Sequence, residues 1–233
     1  MSDNLSSDQA RTVAYITGLN INGALSTING WTWAGDNPAT YASTESAHKW
    51  AGGLAGTPGG TVTYYFDPGS NFSAAIEQTY ISALTLWSDE AGINFAPTTD
   101  PSTADLSFYL FNTSTPNVPL DNGAYAVPVY AAGKPGDTTL PATQAVSISI
   151  EQVNGWAHLD SFTYSGGEGP ATIIHELGHA LGLAHSGPYN GNIDNATQQY
   201  NTTDMNLWSI MSYVPPNETD AKYYDEYPVK GTT

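Results

Sequence analysis

The chain has 233 residues, enough for one large domain or two modest lobes around a substantial core. Five Lys and Arg against 22 Asp and Glu give a formal net charge of −17, which argues against nucleic acid and anionic membrane surfaces as partners. The sequence has no cysteine, which excludes a disulfide framework, thiolate zinc fingers and a catalytic thiol. With 40% hydrophobic and 12% aromatic residues, the chain is expected to fold, and we expect a monomer. No run of 18 apolar residues occurs, so no membrane insertion is expected.

Residues 1–60 are rich in Gly, Ser, Thr and Asn and are predicted to form an N-terminal segment. They begin without the apolar stretch of a secretory signal peptide. One short helix is predicted from about Ser7 to Gly18. Near the extreme N-terminus, Asp3 and Asp8 have two interpretations, as a pro-segment carboxylate that blocks a metal or as solvated groups of a terminus.

Residues 61–185 are predicted to form an upper lobe of strands and helices. The β-branched and aromatic run Thr61–Phe66 predicts a strand. A helix follows, with Ser73 as its N-cap and Gly92 after its last turn. Four further strands are predicted at Ile93–Ala96, Asp105–Phe111, Ala124–Val129 and Ala145–Ile150. The fold class is therefore α+β with about five strands, and the polar residues 186–233 predict an irregular lower lobe.

The segment His175–His185 carries the pattern His-Glu-x-x-His-x-x-Gly-x-x-His. Residues four apart on a helix project from one face, so His175 and His179 can bind one metal ion. Gly182 can adopt positive φ and turn the chain, which lets His185 reach the same ion. Three nitrogen ligands with an open coordination position are typical of catalytic zinc. We therefore predict one catalytic Zn²⁺ ion.

Glu176 follows the first of these ligands and is the candidate general base. It would take a proton from zinc-bound water, whose pKa the metal lowers toward about 7, and pass it to the leaving amine. The stripe formed by Ile174, Leu177 and Leu181 predicts the face of the same helix that is buried in the core. The predicted chemistry is hydrolysis.

These residues resemble the metzincin zinc endopeptidases, whose extended motif contains the same glycine and third histidine and precedes a methionine-containing turn. The segment Ser209–Tyr213 is similar to that turn. The resemblance implies that Met211 forms an apolar floor beneath the histidines. It also implies that Tyr213 is an additional zinc ligand that swings away to stabilise the transition state, as in serralysins and astacins.

Within the metzincins, the chain looks most like serralysins. The residues that carry this likeness are Gly178–Leu183, Tyr189-Asn190 and the Ser-Tyr pair that ends the turn. The likeness extends over about residues 60–215 and implies a twisted, mostly parallel five-stranded sheet with two long helices. It also implies that the edge strand Ala124, Tyr125, Ala126 and Val127 lies above the cleft. An edge strand offers unpaired backbone groups to an extended polypeptide, so sequence-tolerant endopeptidase activity is expected.

Three features depart from serralysins. Ser186 follows the third histidine where serralysins usually have Pro, and a serine there looks more like matrixins. The chain ends 22 residues after Met211 without the apolar helix of the family, and it has no calcium-binding C-terminal repeats. We interpret it as a catalytic domain only, an excised fragment or a minimal variant. The missing signal peptide fits secretion by a type I-like route, since serralysins carry their export signal at the C-terminus.

Other interpretations stay open for several residues. Calcium is possible at the acidic residues Glu218, Asp220, Asp225 and Glu226, although a solvated tail is the simpler interpretation. Trp31, Trp33 and Trp50 are either packing groups or a carbohydrate-stacking group. The alternative function is a zinc-containing binding, adhesion or self-processing module of a larger secreted protein, inactive or weakly active alone.

Overall fold

The computed structural model describes most of the chain, namely residues 6–26, 30–32, 46–111, 123–151, 167–191 and 193–216. The chain forms two compact units. The unit made of His48–Ala131 and Ala142–Leu181 is called the sheet unit here, and the unit made of Met1–Ala47, Ala132–Pro141 and Gly182–Thr233 is called the loop unit. The boundaries predicted after residues 60 and 185 stay predictions.

The described residues contain four α-helices and eight strands. The helices are α1 (Ser7–Thr17), α2 (Ala74–Ala91), α3 (Glu168–Ala180) and α4 (Asn195–Gln198). The strands are β1 (Lys49–Trp50), β2 (Gly53–Leu54), β3 (Gly60–Phe66), β4 (Ile93–Pro97), β5 (Leu106–Phe111), β6 (Ala124–Tyr130), β7 (Thr139–Leu140) and β8 (Ala142–Glu151). Among the described residues, no helix is both long and apolar enough to span a bilayer.

The sheet unit is built on a mostly parallel sheet. Its order is β1-β8-β5-β3-β4, with every pair in that path parallel, and β6 is antiparallel to β8. All five predicted strands are present, which confirms the α+β class. A sixth strand, β1, was not predicted because two residues are too short to show an alternating pattern.

The core of the sheet unit lies between this sheet and helices α2 and α3. Leu106, Phe108 and Leu110 alternate as buried residues along β5, as the sequence predicted. Helix α2 begins after the N-cap Ser73, whose hydroxyl accepts a hydrogen bond from an amide in the first turn. The helix ends at Gly92 with φ of 63°, which confirms both predicted caps.

Helix α3 packs into this core through one face. Ile173, Leu177 and Ala180 are fully buried, whereas Ile174 and Leu181 are only partly buried. The buried positions follow the i, i+4, i+7 spacing of one helix face. All three residues of the predicted stripe thus contact the core, with Leu177 fully buried and Ile174 and Leu181 at its margin.

The loop unit contains little regular structure. Helix α1 carries a capping box between Ser6 and Gln9 and ends at Gly18 with φ of 67°. After residue 185, the described residues contain only the four-residue helix α4, which confirms the irregular C-terminal lobe. Buried polar side chains are concentrated in this part of the chain: Ser186, Gln199, Asn201, Thr203, Asp204 and Ser212.

Candidate metal centre

Two of the candidate ligands lie on helix α3. The helix starts after Gly167, and Pro170 is in its first turn, where a missing amide hydrogen leaves no helical bond unmade. His175 and His179 are one turn apart, with ring centroids 4.7 Å from each other. The local geometry of the helix therefore places both imidazoles on one face, as the spacing predicted.

The chain turns sharply after the helix. The amide of Leu181 donates to the carbonyls of Leu177 and Gly178, at 2.9 and 3.1 Å. Gly182 follows with φ of 96°, a backbone conformation that a Cβ atom disfavours. The predicted role of this glycine in ending the helix is consistent with that conformation.

His175, His179 and His185 form a group that can hold a metal ion. Their candidate ligand atoms all lie within 4.8 Å of one another. His175 and His185 are buried, and His179 is half-buried. Three neutral nitrogen donors converging in this way suit zinc, which accepts imidazole at tetrahedral sites. Within the described parts of the chain, this is the only such group of His, Cys, Asp or Glu residues.

Glu176 is a buried carboxyl group beside the first histidine. Burial raises its pKa to about 8, and the backbone amide of Ala126 on β6 opposes that rise. The carboxyl group therefore favours its protonated form until a positive charge is bound nearby. Its position also puts it within reach of the backbone of β6.

Strand β6 is paired on one side only among the described residues. It runs antiparallel to β8, with Ala126 opposite Ile148 and Val127 opposite Ser147. The influence of the Ala126 amide on Glu176 indicates that this amide points away from β8. On the same strand, Val127 has 59% of its surface exposed. The predicted edge strand is thus present and continues to Tyr130.

The segment around Met211 forms a compact turn in the loop unit. Met211 is 1% exposed, and its amide donates to the Ser209 hydroxyl at 3.1 Å. The Ser212 amide donates to the Ser209 carbonyl, which closes the turn. The Met211 carbonyl accepts from the Ser186 amide at 3.1 Å, so the turn is bonded directly to the residue after the third histidine.

Tyr213 lies beside His185 within the loop unit. The two rings have centroids 4.6 Å apart, and Tyr213 also stacks on Tyr189 at 5.2 Å. The Tyr213 amide donates to the Tyr189 hydroxyl at 3.2 Å. The structure therefore brings the tyrosine of the predicted turn next to the third histidine.

A buried hydrogen-bond network supports this arrangement, and the sequence did not reveal it. Asp204 accepts hydrogen bonds from the Tyr189 hydroxyl at 2.5 Å, the Ser212 hydroxyl at 2.8 Å and the Tyr200 amide at 2.8 Å. Burial raises the pKa of Asp204, and these bonds oppose the rise. An isolated Asp in a polar segment has no periodic pattern that would mark it as buried.

Several other predicted residues are not among the candidate metal ligands. Asp8 accepts a hydrogen bond from the Thr202 hydroxyl and lies 3.6 Å from Arg11, so it has partners within the loop unit. Asp3, Trp33 and the acidic residues Glu218, Asp220, Asp225 and Glu226 lie outside the described residues. Trp31 and Trp50 each donate the indole N–H to a backbone carbonyl, at 3.1 and 2.9 Å.

Comparisons with known proteins agree with the motifs. A family model described as matrixin matches residues 57–207, more than half of the chain. A serralysin of Photorhabdus luminescens is 29% identical over 172 residues, which are 68% of this chain and 31% of that protein. Serralysin A of Dickeya chrysanthemi is 30% identical over 156 residues, 67% of this chain and 30% of that protein. The chain thus spans about a third of the length of these relatives.

A solved structure is also similar. It is high choriolytic enzyme 1, a hatching-enzyme zinc protease of the medaka fish Oryzias latipes. It aligns over 54% of this chain and 44% of its own, with 18% identity and a TM-score of 0.31. An overlap of that size carries no inference about this chain.

Proposed function

Because the chain belongs to the matrixin family of peptidases, we propose that it is a zinc-dependent endopeptidase that cleaves extended polypeptides. Together with the serralysin relatives, this membership confirms the predicted serralysin-like metzincin catalytic domain. The single observation that carries the proposal is the convergence of three histidines around a helix that also presents a buried glutamate.

His175, His179 and His185 are the proposed zinc ligands. Their donor atoms are already within 4.8 Å of one another, so the site needs little rearrangement to hold an ion. When bound, zinc supplies a Lewis acid that polarises a carbonyl and lowers the pKa of water toward about 7. Three protein ligands leave room for this chemistry, whereas a structural site would use four.

Glu176 is the proposed proton carrier. Its carboxylate takes the proton of the attacking water and delivers it to the leaving nitrogen of the cleaved peptide bond. In the metal-free protein, burial raises the pKa of Glu176 to about 8, so this carboxyl group accepts a proton readily. A divalent cation nearby favours the carboxylate form before the reaction, because opposite charges lower the pKa of an acid.

Strand β6 is the proposed docking edge for the substrate. A polypeptide that pairs along the outer edge of β6 uses backbone hydrogen bonds, which do not depend on the substrate's side chains. Pro128 on the same strand has no amide hydrogen, and a proline is tolerated on a strand whose outer edge has no partner strand among the described residues. Since the Ala126 amide faces Glu176, a paired substrate would lie next to the proton carrier.

Met211 and Tyr213 have proposed supporting roles. Buried Met211 supplies apolar contact beneath the ligands, and Tyr213 acts as an additional ligand and as a donor to the developing oxyanion. The contact between the Tyr213 and His185 rings supports the second role. We also propose that the protein acts outside the cell, on the strength of its similarity to serralysins.

The direct test compares cleavage of an unfolded, labelled casein by the zinc-loaded chain, its Glu176→Gln variant and a Glu168→Gln control. Glu168 is an exposed glutamate on the same helix. We expect Glu176→Gln to keep its zinc and to lose about 100-fold to 10,000-fold in kcat, whereas the control matches the wild type. Zinc bound by all three proteins with equal cleavage by all three would overturn the role of Glu176. Zinc bound without cleavage by the wild type would favour the alternative of a binding or self-processing module.

A further inference from the structure

The third candidate ligand depends on a different kind of support from the first two. His175 and His179 are placed by one helix, but His185 lies in the irregular segment Gly182–His185 of the loop unit. A short non-helical segment has no repeating backbone bonds to fix it. Contacts from elsewhere in the unit must therefore hold it in place.

Those contacts come from the N-terminal part of the loop unit. The Ala184 amide donates to the carbonyl of Ile16 in helix α1, at 2.9 Å. The indole N–H of Trp31 donates to the Gly182 carbonyl, at 3.1 Å. Gly182 lies past the end of α3, where the helical pattern supplies no backbone donor to its carbonyl. Two hydrogen bonds from residues far away in sequence thus hold this segment.

Gly30, next to Trp31, is packed directly on the third ligand. A Cβ atom on residue 30 would clash with the His185 carbonyl oxygen and would lie 2.7 Å from the Ala184 Cβ atom. Side chains essentially never approach that closely, so a larger residue at position 30 must push the segment away. The absence of a side chain at position 30 is therefore part of how Trp31 reaches Gly182.

We propose that Trp31 is a positioning residue for the metal centre, which fixes His185 through the Gly182 carbonyl. This inference rests on the proposed zinc site and adds a residue that the motif does not contain. Groups that orient metal ligands without touching the metal are worth about 10-fold to 100-fold in metal affinity. Through this interaction, the N-terminal part of the loop unit helps to position the third candidate ligand.

Trp87 provides a matched control. Its indole N–H also donates to a backbone carbonyl of helix α3, that of Ile174, at 3.0 Å. Ile174 lies inside α3, where the amide four residues later bonds to its carbonyl in the α-helical pattern. Losing the Trp87 bond therefore leaves a satisfied carbonyl on a helix, whereas losing the Trp31 bond removes the indole donor from a carbonyl in a turn that has no helical bond to replace it.

The experiment measures zinc dissociation constants by chelator competition for the wild type, Trp31→Phe and Trp87→Phe. Phenylalanine keeps an aromatic ring and removes the donor. We expect the dissociation constant to rise about 10-fold in Trp31→Phe, and by less than about threefold in Trp87→Phe, which is under 1 kcal/mol. Equal affinities in the two variants would overturn the proposal.

Cobalt substitution separates positioning from general stability. The visible absorption of bound Co²⁺ responds to the geometry of its ligands, so Trp31→Phe should shift toward the spectrum of a His185→Ala variant. Gly30→Ala should shift in the same direction. Thermal unfolding of the metal-free proteins shows whether each variant folds, and a wild-type spectrum in a folded Gly30→Ala protein would contradict the inference. If the wild type itself binds neither zinc nor cobalt at the histidines, the proposed function fails instead.

Discussion

The sheet unit and the loop unit are stabilised in opposite ways. The sheet unit has an apolar core between parallel strands and two long helices. In the loop unit, buried polar groups such as Asp204, Tyr189 and Ser212 bond to one another in place of a regular ladder. Two of the candidate ligands come from a helix, and the third comes from an irregular segment. A compact motif can thus depend on both kinds of support.

Metal removal gives the largest expected effect. Chelation should abolish cleavage, because the Lewis acid is lost, and added zinc should restore it. Amide hydrogen exchange should speed up in peptides covering residues 182–191, which have little regular structure. Exchange in strands β5 and β8 should change little. Equal acceleration in both places would contradict the distinction between the two units.

Buried His48 should make the sheet unit sensitive to acid. Its Nδ1 atom lies 2.8 Å from the Thr143 hydroxyl, and burial lowers its pKa from 6.5 to about 4. Between these values the unfolded chain binds a proton and the folded chain does not. The free energy of unfolding is therefore unaffected by His48 titration above pH 6.5. It decreases as the pH falls from 6.5 through about 4, by up to about 3 kcal/mol in total. Urea unfolding at several pH values should show a flatter curve for His48→Phe over this range.

Asp204 in the loop unit should make the free energy of unfolding change with pH in the opposite direction. Burial raises its folded pKa above the ordinary value of 3.8. The folded state then holds a proton that the unfolded state releases, so stability falls as the pH rises from 3.8 through the folded pKa. The same urea titration of Asp204→Asn should lack this downward slope. A wild-type slope in that variant would assign the effect to another group.

Two buried tyrosines differ in their hydrogen bonding, so the same substitution should change the free energy of unfolding differently in each. The Tyr189 hydroxyl bonds to Asp204 and accepts from the Tyr213 amide, whereas the buried Tyr80 hydroxyl has no hydrogen-bond partner among the described residues. Tyr189→Phe should cost about 2 kcal/mol, since it leaves buried polar groups unpaired. Tyr80→Phe should be neutral or stabilising by up to about 1 kcal/mol, because it removes an unpaired buried hydroxyl. Chemical denaturation measures both, and similar losses in both variants would show that the two units do not differ as described.

The smallest effect is expected at Arg11 on the surface of α1. It lies 3.6 Å from Asp8, and its guanidinium carbon is 5.4 Å from the centroid of the Tyr200 ring. Exposed pairs of this kind contribute about 0.5 kcal/mol and are weakened by salt. The free energy of unfolding of Arg11→Gln should therefore differ from that of the wild type by about this amount at low salt and converge with it at 1 M salt. A larger loss that persists at 1 M salt would contradict this account, because it would assign the effect to packing of the Arg11 side chain against Tyr200 and not to the ion pair.

The sequence determined the elements that rest on local patterns. Alternation along Leu106–Phe111 predicted β5, and caps at Ser73 and Gly92 predicted the limits of α2. The histidine spacing predicted two ligands on one helix face, and the glycine between the second and third histidines predicted a turn. These features depend on residues within a few positions of one another, so their physical cause is visible in the sequence itself.

Only the tertiary structure decided which distant groups support the site. Trp31 and Gly30 contact the segment that carries the third histidine, although they lie about 150 residues away in sequence. Asp204 accepts hydrogen bonds from three donors, in a segment whose sequence shows only a polar composition. The fold also decided which residues of α3 are fully buried, since a shift of one residue leaves the hydrophobic period unchanged. Long-range hydrogen bonds and close packing leave no periodic trace in a sequence, because each joins residues whose separation follows no repeat.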